Sequence, residues 1–133
     1  MRIGQIAKHS GVPAKTIRYY ESVSLLPRPD RTASGYRDYD DPALQRLRFV
    51  QRARSLGFSV RECADLLALY EDKHRASAEV KAMAREHVAQ VEAKIAELRA
   101  MGRTLGELID KCHGDDRPDC PILIDLAEGG ARY

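Results

Sequence analysis

The feature that most limits how this chain can fold is a stretch from about residue 78 to 111 that contains no proline. Its apolar residues return every three or four positions: Ala84, Val88, Val91, Ile95, Leu98, Met101, Leu105 and Leu108. That spacing is the seam of a coiled coil, with one slip where Gly102 occupies the position a strict heptad would use. At 1.5 Å per residue the helix is roughly 50 Å long. A helix of that length with one apolar stripe is unstable by itself, because the stripe needs a cover. An antiparallel homodimer is the simplest cover; packing against the N-terminal part of the same chain is the other.

Composition agrees with an extended arm rather than a large core. Of 133 residues, 32% are charged and 6% aromatic, with no Trp and two Phe. The net charge of +2 is unevenly distributed. Residues 1–75 carry 14 Lys and Arg against 9 Asp and Glu, and residues 76–133 carry 8 against 11. A basic N-terminal half suits a polyanion such as nucleic acid, although solubility charge reads the same way. No apolar run reaches the roughly 18 residues that cross a bilayer, and no signal-peptide hydrophobic region opens the chain. The expectation is a cytoplasmic protein with no membrane partner. Three cysteines in a reducing compartment point to metal or redox chemistry, or to burial, rather than to disulfides.

The N-terminal half breaks into short helices. Ile3, Ile6 and Ala7 share a face, Gly11 stands where a left-handed glycine ends a helix, and Pro13 suits the first turn of the next. That second helix, about Pro13 to Glu21, turns Ile17 and Tyr20 inward and leaves Lys15, Thr16, Arg18 and Tyr19 outside. Two short helices joined by Ser10-Gly11-Val12 form a helix-turn-helix pattern. Pro27 and Pro29 then forbid helix, and Ser34-Gly35 makes a turn before Tyr36-Arg37-Asp38-Tyr39, which predicts a short β-ribbon, or wing. Asp41-Pro42 opens a third helix with Asp41 as cap, and Gly57 closes it. Ser59-Val60-Arg61-Glu62 is a capping box for a fourth, with Cys63, Leu66, Leu67 and Tyr70 inward.

Beyond Lys111 lies a loop from Cys112 to Pro121, rich in Gly, Pro and Asp, then a short apolar helical turn, Ile122 to Leu126. Thiolates are soft ligands that select Cu(I), Zn(II) or iron–sulfur chemistry. Zinc usually takes four ligands. Two thiolates, Cys112 and Cys120, suit a two-coordinate monovalent d10 ion, while His113 and the acidic residues of the loop read better as solvated loop groups. Cys63, on an inward helix face, reads as a buried structural thiol.

Taken together, Ile17-Arg18-Tyr19-Tyr20-Glu21 and Gly35-Tyr36-Arg37-Asp38-Tyr39, followed by the second helix pair, the long helix and the terminal cysteine loop, resemble the MerR family of metal-responsive regulators. The resemblance runs from Met1 to about Leu126, and the loop from Cys112 to Cys120 with Pro121 behind it is similar to the copper-efflux branch. It implies a mainly α protein. A winged helix-turn-helix DNA-binding domain with a second helix pair covers 1–72, and a hinge with an antiparallel coiled-coil dimerisation helix covers 73–111. A metal-binding loop and helical turn cover 112–126, and a disordered tail covers 127–133. Cu(I), or Ag(I) or Au(I), is the implied ion, held by Cys112 and Cys120. Ser77, supplied by the partner chain, stands where divalent-metal sensors carry Cys.

On that reading Arg18 lies in the major groove with Lys15, Thr16 and Tyr19 around it, while Arg31, Tyr36, Arg37 and Arg54 hold phosphate. The implied partners are double-stranded promoter DNA, a second copy of the chain, and RNA polymerase at a promoter whose elements are badly spaced. The implied role is a transcription activator of copper-tolerance genes, not an enzyme. A divalent (Zn, Cd or Pb) sensor would call for Cys at 77 and further ligands after Cys120. A small-molecule sensor needs a larger domain beyond the long helix. A thiol redox protein prefers C-x-x-C, and no nucleophile–base constellation accompanies the cysteines.

Overall fold

A computed structural model describes residues 1–74, 76–115 and 118–129. Arg75, Asp116, Arg117 and residues 130–133 lie outside the described residues, and with them most of the tail expected to be disordered. Six helices follow in order: α1 (Ile3–Ser10), α2 (Ala14–Ser22), α3 (Asp41–Ser55), α4 (Val60–Glu71), α5 (Ser77–Lys111) and α6 (Pro121–Ala127). Two compact units result, residues 1–85 and 86–133, with α5 running through the boundary.

In the first unit α1 packs on α2 and α3, and α3 packs on α4. Ile6, Val12, Ile17, Leu26, Tyr39, Leu47, Val50 and Cys63 are fully buried between them. Each large apolar side chain removed from water contributes roughly 1.5–3 kcal/mol, which is what sets the angles between such short helices. The connections are set by local chemistry. Gly11 adopts φ 74° and its N–H donates to the Ala7 carbonyl at 2.9 Å, turning the chain sharply into α2. Ser59 Oγ accepts from the Glu62 N–H at 3.1 Å and Glu62 Oε1 accepts from the Ser59 N–H at 2.8 Å, so the expected capping box opens α4.

Three local readings need correction. The cap of α3 is Asp40, whose Oδ1 accepts from the Ala43 N–H at 3.0 Å, and Asp41 is already helical. Asp40 is one residue further from Pro42, which lets its carboxylate reach the third amide of the turn. Tyr70 does not face the core: it is 63% exposed, its ring against Phe49 with centroids 5.1 Å apart. The wing is less than a ribbon. Among the described residues it holds one antiparallel bridge, Arg31 with Arg37, closed by a Thr32–Gly35 turn in which Gly35 takes φ 84°. Pro27 and Pro29 have no N–H to extend a ladder.

The wing is instead fixed through a buried carboxylate. Glu21, at the end of α2, is 5% exposed. Its Oε1 accepts from the Tyr39 hydroxyl and its Oε2 faces Arg37 Nη2 at 3.5 Å. Burial, followed by the hydrogen bond to Glu21 and the charge of that carboxylate, pushes the Tyr39 phenol up to about 12. A buried carboxylate with only half of its partners is costly, so the triad locks α2 to the segment that closes the wing.

In the second unit α5 carries its stripe uncovered within the chain. Val88, Val91, Ile95, Leu98, Leu105 and Ile109 are between 42% and 60% exposed. Ile109 holds the heptad position, while Leu108, expected on the seam, is half-buried. The expected single helical turn after the loop is the seven-residue α6, which includes Ala127. No helix among the described residues is long and apolar enough to cross a membrane.

Replacing Tyr39 by Phe removes the phenol from Glu21 and is expected to lower stability by about 2 kcal/mol at neutral pH, read by urea unfolding. The raised phenol value favours the folded state fully below about pH 10 and loses that contribution as pH climbs through about 12. The Tyr39→Phe protein should therefore lack this alkaline decline, and a matching decline in both proteins would count against the triad.

Candidate metal centre and nucleic-acid interface

The loop between α5 and α6 brings two sulfurs together. Its start is fixed by the Cys112 N–H, which donates to the Ile109 carbonyl at 3.0 Å, and Gly114 turns the chain at φ 66°. Its end is fixed by Cys120, which caps α6 and accepts through its carbonyl from the Ile124 N–H at 3.0 Å. Pro121 occupies the first helical position, where its missing N–H costs nothing. Both cysteines are free and half-buried, and the Cys112 side chain stands near enough to the Cys120 sulfur to help lower its thiol.

The Leu123 N–H, foremost, and the Ile122 N–H face the Cys120 sulfur. These two donors, with the Cys112 thiol, hold the Cys120 thiol below its ordinary value against the opposing effects of desolvation and the Asp119 charge. The thiolate is the metal-binding form, so the loop supplies one sulfur already inclined to bind and a second in contact with it. Among the described residues no group of three or more His, Cys, Asp or Glu stands together as a metal cluster. The soft ligands that the described part of the loop offers are the two cysteines. His113 and Asp119 are exposed. Ser77, the first residue of α5, is also exposed and belongs to the first unit.

Cys63 has the opposite environment. It is fully buried in α4, and burial pushes its thiol up. That is the chemistry of an inert core thiol.

On the first unit, Arg18 and Tyr19 are exposed on α2 beside Lys15, with Thr16 half-buried. The inward face, Ile17, Tyr20 and Glu21, is held in the core, so the outer face is presented rigidly. Arg18, Arg31, Tyr36 and Arg37 border a single hollow of about 850 Å³ between α1, α2 and the wing. Arg54 stands elsewhere: its Nη1 donates to the Phe58 carbonyl at 2.8 Å and closes the turn after α3. Arg37 is divided between this face and Glu21. Sequence reasoning missed Arg2, which lines the same hollow, because it precedes the helix-turn-helix pattern. It also missed Glu21, for which an acidic residue at an inward helical position was the available signal.

Two family models match the chain. One described as "MerR HTH family regulatory protein" covers residues 1–69, and one described as "MerR, DNA binding" covers residues 44–108. The chain is 54% identical over 129 residues to the HTH-type transcriptional regulator HmrR of Rhizobium leguminosarum bv. viciae, spanning 97% of this chain and 99% of that one. It is 41% identical over 127 residues to the HTH-type transcriptional regulator CueR of Salmonella typhimurium, spanning 96% and 92%. Among solved structures, the transcription regulator PbrR691 from Ralstonia metallidurans CH34 in complex with lead(II) superposes with a TM-score of 0.80 at 39% identity, covering 95% of this chain and 98% of that one.

The two thiol environments predict an order of reaction. In the reduced, metal-free protein at neutral pH, iodoacetamide should alkylate Cys120 well before Cys63, because a lowered value raises the thiolate fraction and burial suppresses it. Peptide mapping by mass spectrometry reads the order, and early labelling of Cys63 would contradict these environments.

Proposed function

This chain belongs to the MerR family of transcription regulators, and on that premise we propose that it activates transcription from promoter DNA in response to Cu(I), sensed by Cys112 and Cys120. The observation that carries the reading is the placing of two free, half-buried cysteines at the two ends of the one short loop between α5 and α6. When bound, a soft monovalent ion supplies a bridge between two thiolates; Ag(I) and Au(I) share that charge and softness. Serine rather than cysteine at 77 supports a site without a third thiolate, and that residue would come from the partner chain.

The working form is a homodimer. The uncovered stripe from Val88 to Ile109 supports this, since a second antiparallel copy would cover it. The dimer would place two recognition helices in successive major grooves, Arg18 reaching bases or the adjacent phosphate with Lys15, Thr16 and Tyr19, while Arg31, Tyr36 and Arg37 grip phosphate. Arg54 would act in the same direction through the α3–α4 turn that it braces. The role is regulation in the cytoplasm, with RNA polymerase engaging a promoter whose geometry the dimer alters.

An effector that bound both conformations equally would shift nothing. Moving a population from 1:99 to 99:1 takes about 5.5 kcal/mol of differential affinity. The loop must therefore be ordered differently in the two states. Closure of Cys112 onto Cys120 fixes the start of α6, whose Leu123, Ile124 and Leu126 are exposed apolar groups. Docking of that face against the hinge before α5 would carry the signal toward the DNA-binding domain.

The similarity to a regulator in complex with lead(II) favours a second reading, a divalent heavy-metal sensor. Anaerobic titration with Cu(I), Ag(I) and Zn(II), coupled to transcription in vitro, separates the two. The copper reading expects tight uptake and activation by Cu(I) and Ag(I) and neither by Zn(II); activation by Zn(II) alone would overturn it. Cys112→Ser and Cys120→Ser should each abolish the response while leaving operator affinity within about twofold of the parent. Arg18→Ala should weaken operator binding by at least about tenfold with Cu(I) uptake intact, as expected for a lost base contact of 1–3 kcal/mol. Unchanged gel-shift titrations at fixed salt would remove Arg18 from the interface.

A further inference from the structure

We infer that Arg2 grips a DNA backbone phosphate and that the Tyr36 ring is the platform that aims it. The inference rests on the DNA-binding reading above and adds a residue to it. The hollow between the first turn of α1 and the wing is bordered by four arginines, Arg2, Arg18, Arg31 and Arg37, and by no acidic residue. Four like charges around one hollow repel each other, and a polyanion laid across it relieves that repulsion.

Two of the four are partly engaged within the protein. Arg37 Nη2 faces the buried Glu21 at 3.5 Å, and Arg31 Nη1 donates to the Gly35 carbonyl at 3.3 Å. Arg2 is held differently. Its guanidinium lies 4.3 Å from the centroid of the Tyr36 ring, within cation–π range. A ring face fixes the plane of a guanidinium while leaving its N–H edge available to an anion, which is the geometry a phosphate contact uses. The platform is itself anchored. The Tyr36 N–H donates to Thr32 Oγ1 at 3.2 Å and its carbonyl accepts from the Thr32 N–H at 2.6 Å, so the ring sits on the tightest part of the wing. Arg2 is anchored through its backbone N–H, which donates to Gln5 Oε1 at 2.9 Å at the start of α1. Tyr36 is 54% exposed, so the pair stands at the surface.

Because the contact is to phosphate, Arg2 contributes affinity and register without reading sequence. The test uses the full-length parent protein, Arg2→Ala, Tyr36→Leu and the double variant. The probes are a duplex selected in vitro by the parent protein and a scrambled duplex of the same composition, with fluorescence anisotropy at several salt concentrations. Arg2→Ala should flatten the slope of log K against log salt by about 0.9 per protomer, or about twice that for a dimer. The parent's advantage over the variant then shrinks about tenfold between roughly 50 and 200 mM salt, equally on both duplexes. In the Tyr36→Leu background, removing Arg2 should change the slope less.

Parallel slopes for the parent and Arg2→Ala would overturn the phosphate contact, as would a loss confined to the selected duplex. An undiminished Arg2 effect without the ring would overturn the platform. Failure of the parent protein to bind any duplex would instead defeat the DNA-binding reading, so the two failures are distinct.

Discussion

The arrangement of the first unit depends on one buried carboxylate. Glu21 sits at the end of α2 and cannot be left without partners in that position. Tyr39 and Arg37, both from the segment that closes the wing, supply them. The cost of burying the charge thus becomes a constraint on geometry, since the carboxylate keeps its hydrogen bond to Tyr39 and its ion pair with Arg37 only when α2 and the wing hold one mutual position. The wing has a single backbone bridge, too little to hold a ribbon by itself. The position of the basic hollow follows from this lock, because its arginines come from α2, the wing and the residue just before α1.

The opposite end of the chain works by a different constraint. Seven loop residues separate Cys112 from Cys120, and a free loop would let the thiols wander. Here the end of α5 and the start of α6 each fix one cysteine by a backbone hydrogen bond. The same α6 amides that begin a helix also favour negative charge on the cap residue. One short helix therefore positions a ligand and tunes it. Between the two ends α5 carries an apolar stripe whose residues stand exposed, and the dimer proposed above would give it a cover.

Much of this was legible in the residues. The helix-turn-helix, the capping box at Ser59 and the long helix follow from period, glycine and proline, and all are local. The near misses were local competitions. Asp40 and Asp41 are chemically equivalent caps, and only backbone geometry chose Asp40. Leu108 and Ile109 are equally apolar, and of the two Ile109 is the one left exposed with the stripe. Tyr70 fits the inward period, yet a phenol pairs readily with an exposed ring, and the surface of Phe49 took it.

By itself the sequence determined which segments become helices, where they stop, and that one of them carries an apolar stripe in need of a cover. It also placed two soft ligands in a short loop beyond that helix, because those properties depend on neighbours a few residues apart. Tertiary structure alone decided that Glu21 is buried, that Arg37 turns partly inward to it, that Arg2 stacks on Tyr36, and that Cys120 rather than Cys63 is the thiol favoured as thiolate. Each of these joins residues from separate elements or depends on what burial does to a charge. The local pattern of a chain carries no record of either.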